Sequence, residues 1–416
     1  TQVWGVRPEE PVICGIPNRD FDWEGDTPLR HSYEDTIIYR LHVRGFTKDS
    51  TAKVKKKGTF RGIIERIPYL KELGITMIEL MPAYDFREMP PIQRENPYAG
   101  IGKTEERINF WGYAPGNYFV PKASYAADYN HPDIEFCEMV KELHRNGIEI
   151  SMEFYFLPEI SPSYIIACLH SWVLNYHLDG LHVSADEIVM RILEQDPILA
   201  HTKLMGWGMN GKSEDKKQNC HVAVYNSSFI THARQYLKGD EGQASVMAEF
   251  IRNQPKEKAV INYIANHGTF TLYDTVSYDR KHNEENGEQN RDGEDYNYSW
   301  NCGEEGPSKK KRVQTLRLRQ IKNALCMVFL SQGVPMLYAG DEYGNSQGGN
   351  NNPYCQDNPT GWVNWKQNKF NKEIFEFVKR LIAFRKRHPI LHMRRQMELS
   401  DYKAFGLPDM SFHSNT

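Results

Sequence analysis

The 416-residue chain has no surplus of either charge, since 51 basic side chains face 54 acidic ones for a net charge of −3. That balance removes the usual electrostatic reason to expect nucleic acid or an anionic membrane as a partner. No apolar run approaches the roughly 18 residues of a membrane-spanning helix. Cysteine is sparse and scattered, at 14, 137, 168, 220, 302, 326 and 355, with no Cys-x-x-Cys pair. Cys168 and Cys326 lie inside apolar segments, which predicts reduced, buried thiols and a reducing compartment. The fifteen histidines form no His-Glu-x-x-His pattern, and no EF-hand spacing occurs. Asp128 and Asn130 are the nearest approach to a structural calcium site; neither a metal nor an organic cofactor is expected. There is no low-complexity tract. The chain begins at Thr1 with no charged-then-apolar leader, as expected of a processed chain or a fragment.

What is present is apolar and aromatic mass, 40% hydrophobic and 12% aromatic, enough for a large core. Residues 1–35, rich in Pro, Gly and acidic groups, read as an extended lead-in. Residues 36–43 alternate as a first strand, 61–73 carry a helical apolar stripe stopped by Gly74, and 75–80 form a second strand. Strand, helix, strand at this spacing means a parallel pair with a crossover. A connection from Met81 to His131 follows, dense in Pro, Gly, Asn and aromatics, and loops this long are usually functional. Further strands are predicted at 148–156, 178–184, 202–205, 222–225, 260–265 and 334–338, with helices at 132–146, 163–177, 187–193, 229–237, 313–331 and 370–387. The polar run 280–311 reads as loop, with its acidic-amide part 284–295 a solvated surface. Eight such alternations predict an α/β fold, a (β/α)8 TIM barrel over 36–388, with a long loop after strand two. From 389 to 416 the pattern breaks.

The fourth strand concentrates the interest. His182, Ser184 and Asp186 fall two apart and so point the same way in a strand, toward the barrel end where chemistry sits. A Ser-His-Asp triad is disfavoured, because three alternate residues have nearly parallel side chains and no oxyanion hole is evident. Asp186 is expected to cap the helix that begins at Glu187, and His182 to be buried and hydrogen-bonded.

Five blocks carry a family resemblance: Tyr39 to Thr47 (YRLHVRGFT), Asn109 to Tyr113 (NFWGY), Asn286 to Glu294 (NGEQNRDGE), Ser299 to Gly303 (SWNCG) and Gln332 to Glu342 (QGVPMLYAGDE). In this order they resemble isoamylase-type starch debranching enzymes of glycoside hydrolase family 13, which cut α-1,6 branch points. The resemblance implies a glucan-binding domain before residue 1 and a C-terminal β domain of which 389–416 is the start. It also implies a carboxylate nucleophile, a carboxylic acid and a third carboxylate. Aligned on Asp179-Gly180, the nucleophile position is Ser184 and the family's arginine position is His182. The acid position after Thr202-Lys203-Leu204-Met205-Gly206 is Trp207, whose indole cannot protonate a leaving oxygen, and the third carboxylate position is Gly268 after Asn266-His267. Strand three has Glu153 where the family has Asp, and its following insertion is contracted.

With those positions changed, the chain looks like the non-catalytic plant isoform of the family. No glycosidase activity is therefore expected, since dismantling a catalytic set removes on the order of 10⁴–10⁶ in turnover. The resemblance implies a plastid subunit that assembles with a catalytic isoamylase homologue in amylopectin synthesis and docks on α-glucan through Trp111, Tyr113 and His267. Two other readings stay open: an active hydrolase with carboxylates relocated to Glu153, Glu159 or Asp186, and a free-standing glucan-binding protein.

Overall fold

The computed structural model describes residues 21–89, 107–207, 221–400, 406–411 and 413. Its strands are β1 (Ile38–Leu41), β2 (Met77–Leu80), β3 (Tyr84–Phe86), β4 (Gly116–Pro121), β5 (Glu149–Tyr155), β6 (Gly180–Ser184), β7 (Lys203–Gly206), β8 (Val222–Tyr225), β9 (Ala259–Asn262) and β10 (Val334–Tyr338). Eight of them run parallel and close in the order β1-β2-β5-β6-β7-β8-β9-β10, with β10 returning to β1 through Ile38 opposite Met336. The expected (β/α)8 barrel is the observed one.

Local chemistry sets the helix limits. Thr59, Ser161, Asn226 and Asn368 cap helices Phe60–Leu73, Pro162–Tyr176, Ser227–Lys238 and Lys369–Arg387, each accepting a backbone N–H that the first turn leaves unpaired. Pro162 sits in the first turn, where its missing N–H costs nothing. The helices bury their stripes on the outside of the barrel, in a cluster that runs from Leu41 and Ile78 through Phe154 and Trp172 to Ile382. Inside the barrel a separate apolar layer packs Ile38, Met77, Met205, Ala223, Ile261 and Met336. The barrel is thus a filled core with a polar end above that layer.

Three expectations change. The connection after β2 is not wholly irregular, because β3 and β4 pair antiparallel through Phe86 opposite Gly116 and fold back over the barrel. The polar run 280–311 is solvated along most of its length but is anchored from beneath: Asn283 and Asn286 are fully buried, and Asn283 donates to Asn351 Oδ1 at 2.8 Å while Asn350 donates to Asn286 Oδ1 at 2.9 Å. Amide side chains both donate and accept, so these few satisfy one another and the backbone under the exposed loop. Gln243–Arg252 is a helix where none was expected, burying Met247 and Ala248 and packing Phe250 against Phe229. Cys137, Cys168, Cys302, Cys326 and Cys355 are free thiols; Cys14 and Cys220 lie outside the described residues.

At the opposite end, the barrel floor, Lys203 donates to Glu149 at 2.6 Å and to the His31 carbonyl at 2.6 Å. His144 bridges Asp26 at 2.9 Å and Asp179 at 2.8 Å. The Asp179 side chain also accepts the Ile150 amide at 2.9 Å, immediately before β6 begins.

Candidate functional site at the barrel mouth

Two residues beyond each apolar inner position, a second ring of inward side chains appears: Arg40 after Ile38, Glu79 after Met77, His182 after Gly180 and Tyr225 after Ala223. Strand periodicity puts them on the same face as the apolar layer, nearer the C-terminal end. Glu153 on β5 lies opposite His182 in register. Tyr113 and His267 close the ring from the loops after β3 and β9.

Arg40 is the hub. Its Nη1 donates to Glu79 Oε1 at 2.5 Å and its Nη2 pairs with Glu153. Nη2 also reaches Tyr113 Oη at 3.0 Å and His267 Nδ1 at 3.1 Å. Tyr113 donates to Glu153 Oε2 at 2.6 Å, and Tyr225 donates to the second oxygen of Glu79. Arg40, Glu79, Glu153 and Tyr225 are buried, with Tyr113 and His267 half-buried beside them, so each charge depends on its partner.

Electrostatics fix the protonation pattern. Burial by itself would raise the Glu79 carboxyl, but attraction to Arg40 and His182 with hydrogen bonds from His182 and Tyr225 brings it down to about 2. Glu153 is likewise pushed up by burial and carried below its usual value by Arg40, His182 and His267. Both carboxylates are ionised at neutral pH. Burial and the Arg40 charge lower His267 to about 3, so its ring is neutral. Facing a donor-only guanidinium, its Nδ1 accepts and the proton sits on Nε2. His182 Nδ1 lies 3.2 Å from Glu79 and 3.3 Å from Arg40, while Nε2 has no hydrogen-bond partner and stands 4.0 Å from Glu153 Oε1. Arg40 Nε is likewise buried without a partner.

The residues singled out in the sequence fall as follows. His182 is buried and bonded within the ring, as expected. Ser184, at the end of β6, is half-buried. Asp186 accepts the amides of Ile188 at 2.9 Å and Val189 at 3.0 Å, so it is the helix cap and faces no triad. Glu159 is exposed, away from the ring. Gly268 lies beside His267, its amide donating to Asn266 Oδ1 at 3.0 Å. Trp111 and Tyr113 turn their rings onto His267, one edge-on at 4.7 Å and the other stacked at 5.0 Å. Trp207 is 44% exposed and leans over His182 at 5.2 Å and Tyr225 at 5.3 Å, the open aromatic face of the mouth. Asp128 closes a local turn with Asn130 and His131.

Arg40 and Glu79 were missed as site residues. The signal was available: a charged residue at an inward position of an otherwise apolar barrel strand must be paired within the barrel.

The closed eight-stranded barrel with helices outside is the fold of solved pullulanases. Pullulanase from Bacillus acidopullulyticus superposes with a TM-score of 0.68 at 21% identity, covering 91% of this chain and 53% of the enzyme. A Paenibacillus barengoltzii pullulanase variant complexed with maltotetraose gives a TM-score of 0.68 at 21% identity, covering 90% of this chain and 66% of that one. By sequence, the chain's homologues are isoamylases and glycogen-operon GlgX proteins. It is 33% identical to Isoamylase 1, chloroplastic, of Arabidopsis thaliana over 90% of its own length, and 32% identical to Isoamylase SU1, chloroplastic, of Zea mays over 91%. It is 31% identical to the GlgX homolog of Haemophilus influenzae over 89%. The chain spans 59% of the length of the two plant relatives and 66% of the bacterial one. No protein-family model matches.

These relationships correct one expectation. The chain was expected not to be an enzyme; its relatives are named isoamylases, and its structural neighbours are pullulanases. The expectation rested on the family's own catalytic positions alone. The mouth is supplied with carboxylates from other strands, Glu79 from β2 and Glu153 from β5, which an alignment of those positions does not count.

Proposed function

We propose that this chain is an isoamylase-type protein of α-1,6-glucan debranching that works in starch synthesis in the plastid, in a hetero-oligomer with a catalytic isoamylase homologue. The observation that carries the reading is the 33% identity with chloroplastic Isoamylase 1 along 90% of the chain. The barrel mouth engages α-glucan. Trp207 offers an apolar ring face for a glucose ring, and the neutral His267 offers an Nε2–H for a sugar hydroxyl, with Trp111 and Tyr113 holding the imidazole in place.

Co-expression with a catalytic isoamylase homologue tests the assembly. A complex larger than either chain, with altered release of linear chains from amylopectin, is expected; a tagged chain that retains no isoamylase sinks it. Trp207→Ala is expected to weaken retention on amylopectin about tenfold, or roughly 1.4 kcal/mol, and unchanged retention would remove Trp207 from the site.

A second reading, hydrolysis by this chain itself through relocated carboxylates, is favoured by one observation: Glu153 is ionised and set beside His182 at the mouth. Retaining hydrolysis needs a carboxylate to attack the anomeric carbon and a second group to protonate the leaving oxygen, and Glu153 suits the first task. Purified chain releasing linear glucans, with that release abolished in Glu153→Gln, would establish it.

A further inference from the structure

We infer that the outer face of the barrel carries a second α-glucan site, separate from the mouth, in the pocket between the lead-in and the helices Pro132–Arg145 and Pro162–Tyr176. The inference rests on the glucan reading above. The pocket has a volume of about 370 Å³, within the ~300–1,000 Å³ range of small-ligand sites. None of its lining residues belongs to the mouth.

Its chemistry selects the ligand. Phe21, Trp23, Phe119 and Tyr176 supply ring carbon, and Asp133, Ser171, Asn175 and His177 supply hydrogen-bonding groups. No Lys or Arg lines it, which disfavours anions such as phosphate as ligands, and the polar side chains of its wall disfavour a purely apolar one. An uncharged polyhydroxylic ligand with apolar ring faces fits both halves, and the α-glucan chain supplies it.

The pocket is also held in shape. Trp23 stacks on His177 at 3.7 Å and 14°, and Phe21 meets Trp23 edge-on at 4.9 Å. His177 Nδ1 is fixed by Asp26 at 2.8 Å. On the far wall Asn175 donates to Ser171 Oγ at 3.0 Å, which sets both side chains one helical turn apart on the pocket face. Leu174, 60% exposed, extends the apolar rim. A rigid aromatic floor with fixed amide and hydroxyl groups needs little ordering when a ligand enters.

The test is native electrophoresis of the full chain through gels containing glycogen, together with titration by maltohexaose. Ser171→Trp, which fills the pocket from an accessible helix face, and Trp23→Ala, which removes its floor, are each expected to weaken glycogen retention about tenfold. Maltohexaose should still bind at the mouth, and Trp207→Ala combined with Ser171→Trp should abolish both. If the wild-type chain is retained and both pocket variants, folded by circular dichroism, are retained equally, the second site is refuted while the mouth reading stands. If the wild-type chain is not retained at all, the glucan reading and this inference fall together.

Discussion

The barrel buries charge at both ends, and the two ends use it differently. At the floor, His144 pairs with Asp26 and Asp179 and Lys203 with Glu149, these groups also bind main-chain atoms, and their contacts tie residues 26–31 to the starts of β5, β6 and β7. At the mouth, Arg40, Glu79, Glu153, His182 and His267 face one another, and the unpartnered donor of Arg40 and ring nitrogen of His182 are left in the centre. A cluster whose ion pairs knit the lead-in to the strand starts is architecture. A cluster that converges on itself beneath an open aromatic face, with polar atoms to spare, is a site.

The comparison breaks most severely at Arg40. Arg40→Met leaves two carboxylates buried without a counter-ion, and a loss of about 3–5 kcal/mol is expected, measured by urea denaturation at pH 7. The loss should shrink in Arg40→Met/Glu79→Gln/Glu153→Gln, which removes the stranded charges, and a triple variant no more stable than the single one would refute the pairing account.

The two ends also oppose one another in pH. Glu79, drawn down from 4.5 to about 2 in the fold, stabilises fully above pH 4.5 and loses that contribution as the pH falls toward 2. His144 is the reverse. Burial would lower it, but hydrogen bonds and charge from Asp179 and Asp26 raise it from 6.5 to about 9, so its contribution is full below pH 6.5 and is lost as the pH rises through 9. That contribution reaches at most about 3 kcal/mol. His144→Phe should therefore flatten the alkaline limb of the stability profile and leave the acid limb, whereas Arg40→Met should change the acid limb. A His144→Phe profile that still falls between pH 6.5 and 9 would exclude His144 as the cause.

The sequence made the fold easy to read and the mouth hard, for a physical reason. Strand and helix periods report which face is buried, so β8 and β10 were found at their observed limits, and Asp186 was recognised as a cap from local spacing alone. The mouth is built from single residues on separate strands, and nothing local says that Arg40, Glu79 and Glu153 meet. Reading Ser184, Trp207 and Gly268 by resemblance directed attention to the positions that changed and away from Arg40, which sits in a block quoted for its likeness. Trp111 and Tyr113 were expected to dock glucan together with His267; their rings lie against that imidazole, and the more exposed aromatic ring is Trp207.

Two glycines sharpen the contrast at lower cost. At the floor, a Cβ on Gly180 would meet Met77 Cε at 2.7 Å and Ser151 Cβ at 2.9 Å. The methionine end can yield but the serine Cβ is held by β5, so Gly180→Ala is expected to cost about 1–3 kcal/mol by overpacking. At the mouth, a Cβ on Gly268 would meet nothing nearer than Asn266 Oδ1 at 3.9 Å. Gly268→Asp should therefore fold with a stability change within about 0.5 kcal/mol, read by the same denaturation curves. The carboxylate it adds stands beside His267, near a ring in which the single Arg40 charge faces the two carboxylates Glu79 and Glu153. A loss as large as that of Gly180→Ala would mean that the rim is as tightly committed as the floor, and the distinction between an architectural end and a receptive end of this barrel would no longer hold.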